Sequence, residues 1–181
     1  MEVQENKKRS VDFSLKATWL AISKMYNTIG STYDVTHSTG FVLLNIDKEF
    51  GTPATKIAPL MGMEARSLTR MLKTMEEKGL IRRVADENDK RKVIIKLTEE
   101  GKVKREMSRQ TVKAFHSKLK DVVTEEKLDV FFEVIENINN LIENPHNGIA
   151  EELYHRLAEL AIVDKEVLKK ERERLTSMKL L

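Results

Sequence analysis

Arg66, Ser67, Thr69, Arg70 and Lys73 fall within one short stretch, and their side chains are of the kinds that hydrogen-bond phosphate oxygens and base edges. A guanidinium offers a bidentate fork to guanine, a hydroxyl donates to or accepts from a base, and an ammonium suits phosphate. At about 100° per residue, Arg66, Thr69, Arg70 and Lys73 gather on one side of a helix, with Ser67 beside them. Ala65, Leu68, Met71, Leu72 and Met75 fall on the other side and are expected to pack. A charged helix face taken alone is a solvated surface. Here its middle carries cations and hydroxyls rather than mixed signs. Glu76 and Glu77, one turn later, would repel phosphate, which puts any nucleic-acid contact in the N-terminal half of the helix. A second group, Asp89, Lys90 and Arg91, lies in a polar segment that read alone is a surface turn. Beside a basic helix, its arginine could enter a narrow minor groove, where the negative potential is strongest.

Those residues need elements to hold them. Thr52-Pro53 starts a helix: threonine can cap free N–H groups, and proline loses nothing at a first helical position. This helix is expected over 53–61, Gly62 supplies a turn, and the helix with the basic face spans 64–78. Gly79 is a left-handed terminator. Residues 80–84 and 92–97 are rich in aliphatic and β-branched types and are predicted as the strands of a hairpin. Asp86, Asn88 and Asp89 turn the chain between them. Two short helices followed by a basic hairpin have the form of a helix-turn-helix with a wing.

Arg66-Ser67-Leu68-Thr69-Arg70, then EEKGLIRR at 76–83, Asp89-Lys90-Arg91 and LTEEG at 97–101 occur in order and at separations that resemble the core of the multiple antibiotic resistance regulator (MarR) family. The resemblance covers residue 15 to about residue 143. It implies a mainly α fold with a small β-hairpin wing (α+β), a winged helix-turn-helix flanked by dimerisation helices. It implies a homodimeric bacterial transcription factor on a pseudo-palindromic operator in double-stranded DNA, often a repressor and often released by a small-molecule effector. Arg66, Ser67, Thr69 and Arg70 match the positions that face the major groove; Asp89 matches an aspartate that holds the wing arginine, and Arg91 matches that arginine. The chain departs from the family in two places. Pro59 sits inside the first helix of the motif, where it should kink or shorten it, and the first long helix carries few of the basic residues common among relatives.

Composition narrows the alternatives. The chain has 181 residues, no cysteine and a net charge of +3, which excludes disulfides, thiolate catalysis and thiol redox sensing and requires any DNA affinity to come from a local patch. No apolar run reaches membrane-spanning length, and MEVQENKKRS is not followed by a signal-peptide core, so a cytoplasmic location is expected. The seven glycines form no phosphate loop, and no nucleophile with a base or paired carboxylates stands out. No enzyme activity and no cofactor are expected. His37, His116, His146 and His155 lack close metal-ligand spacing, so no metal is assigned.

Long apolar seams surround the basic unit. Leu15, Trp19, Ile22, Tyr26, Ile29 and Tyr33 alternate by four and three, as do Leu128, Phe131, Ile135, Ile138 and Ile142; Val112, Phe115, Leu119 and Val122 form a weaker set. This exceeds what one small domain buries. A homodimer is therefore expected, with Leu15, Ile22, Ile29, Leu128, Phe131, Ile135, Ile138 and Ile142 at its interface. The main domain is placed at 11–143, with the helix-turn-helix at 53–78, the wing at 80–97, and dimerisation helices at 12–34, 99–123 and 125–143. After the breaker Asn144-Pro145-His146-Asn147-Gly148, a helical extension at 149–175 carries Ile149, Leu153, Leu157 and Leu160 on one side. Trp19, Tyr26 and Tyr33 are candidate walls of an effector pocket, although aromatic residues on a seam also serve simply as packing. The alternative assignment is a winged-helix interaction module whose basic surface meets an acidic protein.

Overall fold

The computed structural model describes residues 10–86, 89–90, 92–143, 149–159, 166–167, 169–170 and 173. The chain divides into two compact units, Met1–Leu119 and Lys120–Leu181. In the first, α1 (Val11–Gly30) leads through a 3-10 turn (Ser31–Tyr33) to α2 (His37–Leu44). Then come β1 (Thr52–Pro53), α3 (Ala54–Leu60), α4 (Ala65–Glu77), β2 (Ile81–Ala85), β3 (Val93–Leu97) and α5 (Glu99–Val122), whose last turn passes into the second unit. That unit holds α6 (Glu125–Glu143) and α7 (Ile149–Glu159). No helix among the described residues is long and apolar enough to cross a membrane.

The core lies in the first unit, where α2, α3 and α4 close over one face of the sheet. Val42, Leu43, Ile46, Ile57, Leu68, Leu72, Met75, Leu80, Ile81, Ile95 and Leu97 form one buried cluster. The stripe expected on α4 is buried at Leu68, Leu72 and Met75 and half-buried at Met71, but Ala65 is exposed. Ala65 is the first residue of the helix.

Both helices of the motif end in the same way. Met63 N–H donates to the Ala58 carbonyl and Gly62 N–H to that of Pro59, each at 3.1 Å; Leu80 N–H donates to Met75 and Gly79 N–H to Glu76, each at 2.9 Å. This is the Schellman arrangement, and it needs a left-handed residue, which Gly62 (φ 58°) and Gly79 (φ 69°) supply. Pro59 is thereby accounted for. It is the penultimate residue of a short helix, where the bond it removes is one of few, and its carbonyl takes part in the closing turn.

Thr52 does not cap α3. Its hydroxyl accepts from Asp47 N–H at 2.9 Å and donates to the Asn45 carbonyl at 3.2 Å, so it closes the preceding turn. Pro53 is the residue at the helix entry. Thr52 and Pro53 instead pair with Ile95 and Ile94, which makes the sheet three-stranded and antiparallel in the order β1-β3-β2. Proline is tolerated there because β1 is an edge. In the hairpin Ile81 faces Leu97, Arg83 faces Ile95 and Ala85 faces Val93.

Thr98 starts α5. Its hydroxyl accepts from Gly101 N–H at 3.0 Å and donates to the Gly79 carbonyl at 2.6 Å. A Cβ on Gly101 would lie 1.9 Å from the Leu80 carbonyl oxygen, so only glycine permits this approach. The corner after α4 and the start of α5 are thus fastened together.

Candidate nucleic-acid interface

The burial of Leu68, Leu72 and Met75 fixes the rotation of α4 and turns Arg66, Ser67, Thr69, Arg70 and Lys73 to the exterior. All five are exposed on one helix. Arg66 and Arg70 make no ion pair among the described residues. Lys73 lies 3.8 Å from Glu77, both side chains well exposed, and such a pair contributes about 0–1 kcal/mol at most. A phosphate could displace it. Thr69 donates its hydroxyl hydrogen to the Ala65 carbonyl at 2.8 Å, leaving its lone pairs outward. A base reaching it would meet an acceptor, which suits the exocyclic amino groups of adenine or cytosine.

The hairpin stands beside this face. Asp86 Oδ1 accepts from Asp89 N–H at 3.0 Å, and Asp86 N–H donates to the Lys92 carbonyl at 3.0 Å, the aspartate turn expected there. Asp89 is half-buried with Lys92 Nζ 3.6 Å from its carboxylate, and Lys90 is exposed. Arg91 and Asn88 lie outside the described residues, as do the breaker at 144–148, with His146, and Leu160.

Arg83 joins the hairpin to α4 through Glu76, which the sequence marks only as an acid that would repel phosphate. Arg83 on β2 donates its backbone N–H to Glu76 Oε1 at 3.2 Å, places its Nε 3.3 Å from Glu76 Oε2, and reaches the Thr69 carbonyl at 3.5 Å. Only the alternation of β2 and the seven-residue separation across Gly79 hint at this pairing. At the C-cap of α4, Lys78 Nζ lies 3.1 and 3.2 Å from the two carboxylate oxygens of Asp34, a left-handed residue (φ 54°) directly after the 3-10 turn.

Tyr33 and Val35, on either side of Asp34 in the chain, line a cavity of about 290 Å³ within the first unit. Trp19, Tyr26 and Tyr33 all line it, together with Phe41, with Phe115, expected only as part of a weaker seam, and with His37, weighed only as a metal ligand. His37 is the hub: its ring centroid lies 5.0 Å from that of Trp19, 5.3 Å from that of Tyr26 in a stacked pair, and 6.3 Å from that of Phe41. Phe115 meets Tyr26 edge-on at 5.9 Å. Burial holds the His37 imidazole below its ordinary range and raises the Tyr26 phenol above its own, so both are uncharged near neutral pH. Tyr33 Oη and Thr111 Oγ1 share a hydrogen bond of 3.2 Å.

The residues of the two long seams are left open to solvent. On α1, Leu15 and Ile29 are exposed and Ile22 is half-buried; on α6, Phe131 and Ile142 are exposed while Leu128, Ile135 and Ile138 are half-buried. No residue of α6 is buried.

Residues 35–93 match a family model described as the MarR family. The HTH-type transcriptional regulator SarZ of Staphylococcus aureus is 31% identical over 96 residues, covering 52% of this chain and 65% of SarZ. The chain thus spans slightly under two thirds of the length of the curated relatives it matches. Among solved structures, the transcriptional repressor CouR bound to a 23-mer DNA duplex superposes with a TM-score of 0.64 at 22% identity, covering 73% of this chain and 94% of CouR. A mutant MarR from E. coli complexed with operator DNA gives 0.61 at 22% identity, covering 73% and 96%. At these identities the structures speak to the fold alone.

Proposed function

We propose that this protein, whose residues 35–93 match the MarR family model, is a sequence-specific transcriptional regulator of double-stranded DNA. It acts as a homodimer on a pseudo-palindromic operator, represses from that site, and is released by a small molecule bound in the aromatic cavity. The observation that carries the DNA assignment is the division of α4, buried along Leu68, Leu72 and Met75 and presenting Arg66, Thr69, Arg70 and Lys73 outward beside the hairpin. A helix anchored on one side and basic on the other, at the outer surface of a compact unit, can enter a major groove without unfolding anything. Lys90 and Arg91 at the wing tip would follow the adjacent minor groove, with Asp89 holding the arginine.

The homodimer is supported by apolar surface that the chain does not cover itself. Trp19 is 54% exposed, Phe131 49%, Phe132 60% and Ile142 68%, more than isolated surface residues explain. Pairing two chains about a two-fold axis would bury it and set two copies of α4 about one DNA turn apart. Genomic footprinting with the full chain tests this: two protected half-sites with centres about 10 bp apart, or a multiple of that, are expected. Uniform, sequence-independent protection would overturn the assignment.

A further inference from the structure

The chain has no cysteine, so oxidation at sulfur can fall only on methionine, and four of its eight methionines, Met61, Met63, Met71 and Met75, lie within the helix-turn-helix. Two of them, Met71 and Met75, one turn apart on α4, line a groove of about 340 Å³ in the first unit. Met71 is half-buried and packs against the core cluster; Met75 belongs to that cluster and is 1% exposed. The groove thus adjoins two thioethers that also seat α4 on the core.

The rest of the lining suits one step of chemistry. A thioether attacks an oxygen of a peroxide, and the step is hard where the other oxygen must depart as an unsupported anion. Arg70 and Lys78 bring positive charge to the groove, and Thr36 and Thr39 bring hydroxyls from the start of α2. Thr36 Oγ1 accepts from Thr39 N–H at 3.1 Å and donates to Thr39 Oγ1 at 2.9 Å, which leaves the Thr39 hydroxyl hydrogen to donate. Fixed cations and a hydroxyl donor stabilise charge as it develops on a leaving oxygen. Asp34, held by Lys78 at 3.1 and 3.2 Å, lines the groove as well. Its carboxylate repels an anionic oxidant, so the lining favours an uncharged peroxide.

We propose that this groove is a site of reversible oxidation, at which a hydroperoxide converts Met71 to its sulfoxide and so unseats α4; the loss of DNA affinity that follows rests on the proposed function. The Met71 sulfur attacks one peroxide oxygen, and an S–O bond forms as the O–O bond breaks. The departing oxygen gains a proton and the transferred oxygen gives one up, so hydrogen peroxide leaves as water. Sulfur is oxidised and the peroxide is reduced. The product is polar where the thioether was apolar, which spoils its contact with the core, and sulfoxide reductases restore it.

Hydrogen peroxide added to the folded full chain without DNA tests this, with oxygen uptake at each methionine followed by peptide mass spectrometry. Met107, 39% exposed on α5 and no part of the groove, is the internal reference. Exposure alone would oxidise Met107 before Met71. The groove should reverse that order, and Lys78→Gln should slow Met71 while leaving Met107 unchanged. The oxidised chain should melt at a lower temperature and recover after treatment with a sulfoxide reductase, and Met71→Leu, which conserves volume, should keep its melting temperature through peroxide. Oxidation of Met107 first, or an unaltered melting temperature in chain oxidised at Met71, overturns the proposal. DNA binding is followed separately on a duplex carrying the footprinted half-sites. An untreated chain that never binds it removes the proposed function and leaves the oxidation chemistry standing, whereas equal affinity before and after oxidation at Met71 overturns the regulatory step.

Discussion

Glu76 accepts the backbone N–H of Arg83 at 3.2 Å and faces its guanidinium Nε at 3.3 Å, so one carboxylate at the end of α4 holds the first strand of the wing by main chain and side chain together. An acid on a helix proposed to face DNA would ordinarily count against binding. Its position assigns it a mechanical role instead. Glu76→Ala should cost about 1 kcal/mol in stability, the size of a partly exposed charge-assisted hydrogen bond, and should weaken DNA binding although a negative charge is lost. Urea denaturation and a DNA titration read both. An increase in affinity would mean that Glu76 acts through its charge alone.

Arg66→Ala and Arg70→Ala should each weaken operator binding by about 1–3 kcal/mol and relax sequence preference at one position. Neither should move the melting temperature, because both side chains are exposed. Affinity measured on operator and scrambled duplexes decides the matter: equal losses on both would make them phosphate contacts.

Lys73→Ala should behave differently. As a phosphate contact it would reduce affinity about uniformly across sequences and lower the slope of log K against log salt by about 1 per site. An unchanged slope would place Lys73 off the DNA, still paired with Glu77.

Thr98 caps α5 and fastens it to the Gly79 carbonyl. Thr98→Ala should cost about 0.5–2 kcal/mol, whereas Thr98→Ser, which keeps the hydroxyl, should lose much less. Equal losses in chemical denaturation would show that the methyl group, and not the hydroxyl, carries the effect.

Acid should destabilise the cavity. Burial keeps the His37 imidazole below its ordinary range, so on acidification the unfolded chain takes up that proton before the folded one. The contribution of His37 is complete above about pH 6.5 and declines as pH falls below it toward the depressed folded value. Its place on the first turn of α2 acts in the same direction, since a helix N-terminus disfavours a cation. Melting temperatures between pH 7.5 and 5.0 should fall less steeply in His37→Gln than in the parent chain, and parallel curves would remove His37 from the account.

Local chemistry explains what the residues disclosed in advance. The 3.6-residue period of α4, the terminators Gly62 and Gly79 and the aspartate turn of the wing each depend on neighbours within a few positions, and each is readable from a short window. What escaped depends on residues far apart in the chain. The pairing of Thr52 with Ile95 needs the register of a sheet, and it diverted a threonine that otherwise looked like a helix cap. His37 gave no sign of its place at the centre of an aromatic cluster, because Trp19, Tyr26 and Phe41 meet it only after α1 and α2 pack. Pro59, awkward when read as an interior helix residue, is simply near the end of a short one.

The close approach of Gly101 to Leu80 gives α5 a mechanical advantage. The same continuous helix that is clamped to the end of α4 supplies Ser108, Thr111, Val112 and Phe115 to the cavity wall. From Gly101 to Phe115 is about 21 Å at about 1.5 Å per residue. A tilt of about 5° in that rod displaces one end against the other by about 1.8 Å, several times the spread of about 0.5 Å over which a hydrogen bond stays well formed. A small molecule pressed into one end would thus need to move α5 very little to spoil the fit of α4 in a groove at the other, provided the joint at Gly101 does not yield. Stiffness at a single glycine contact would then set how much of such a push arrives.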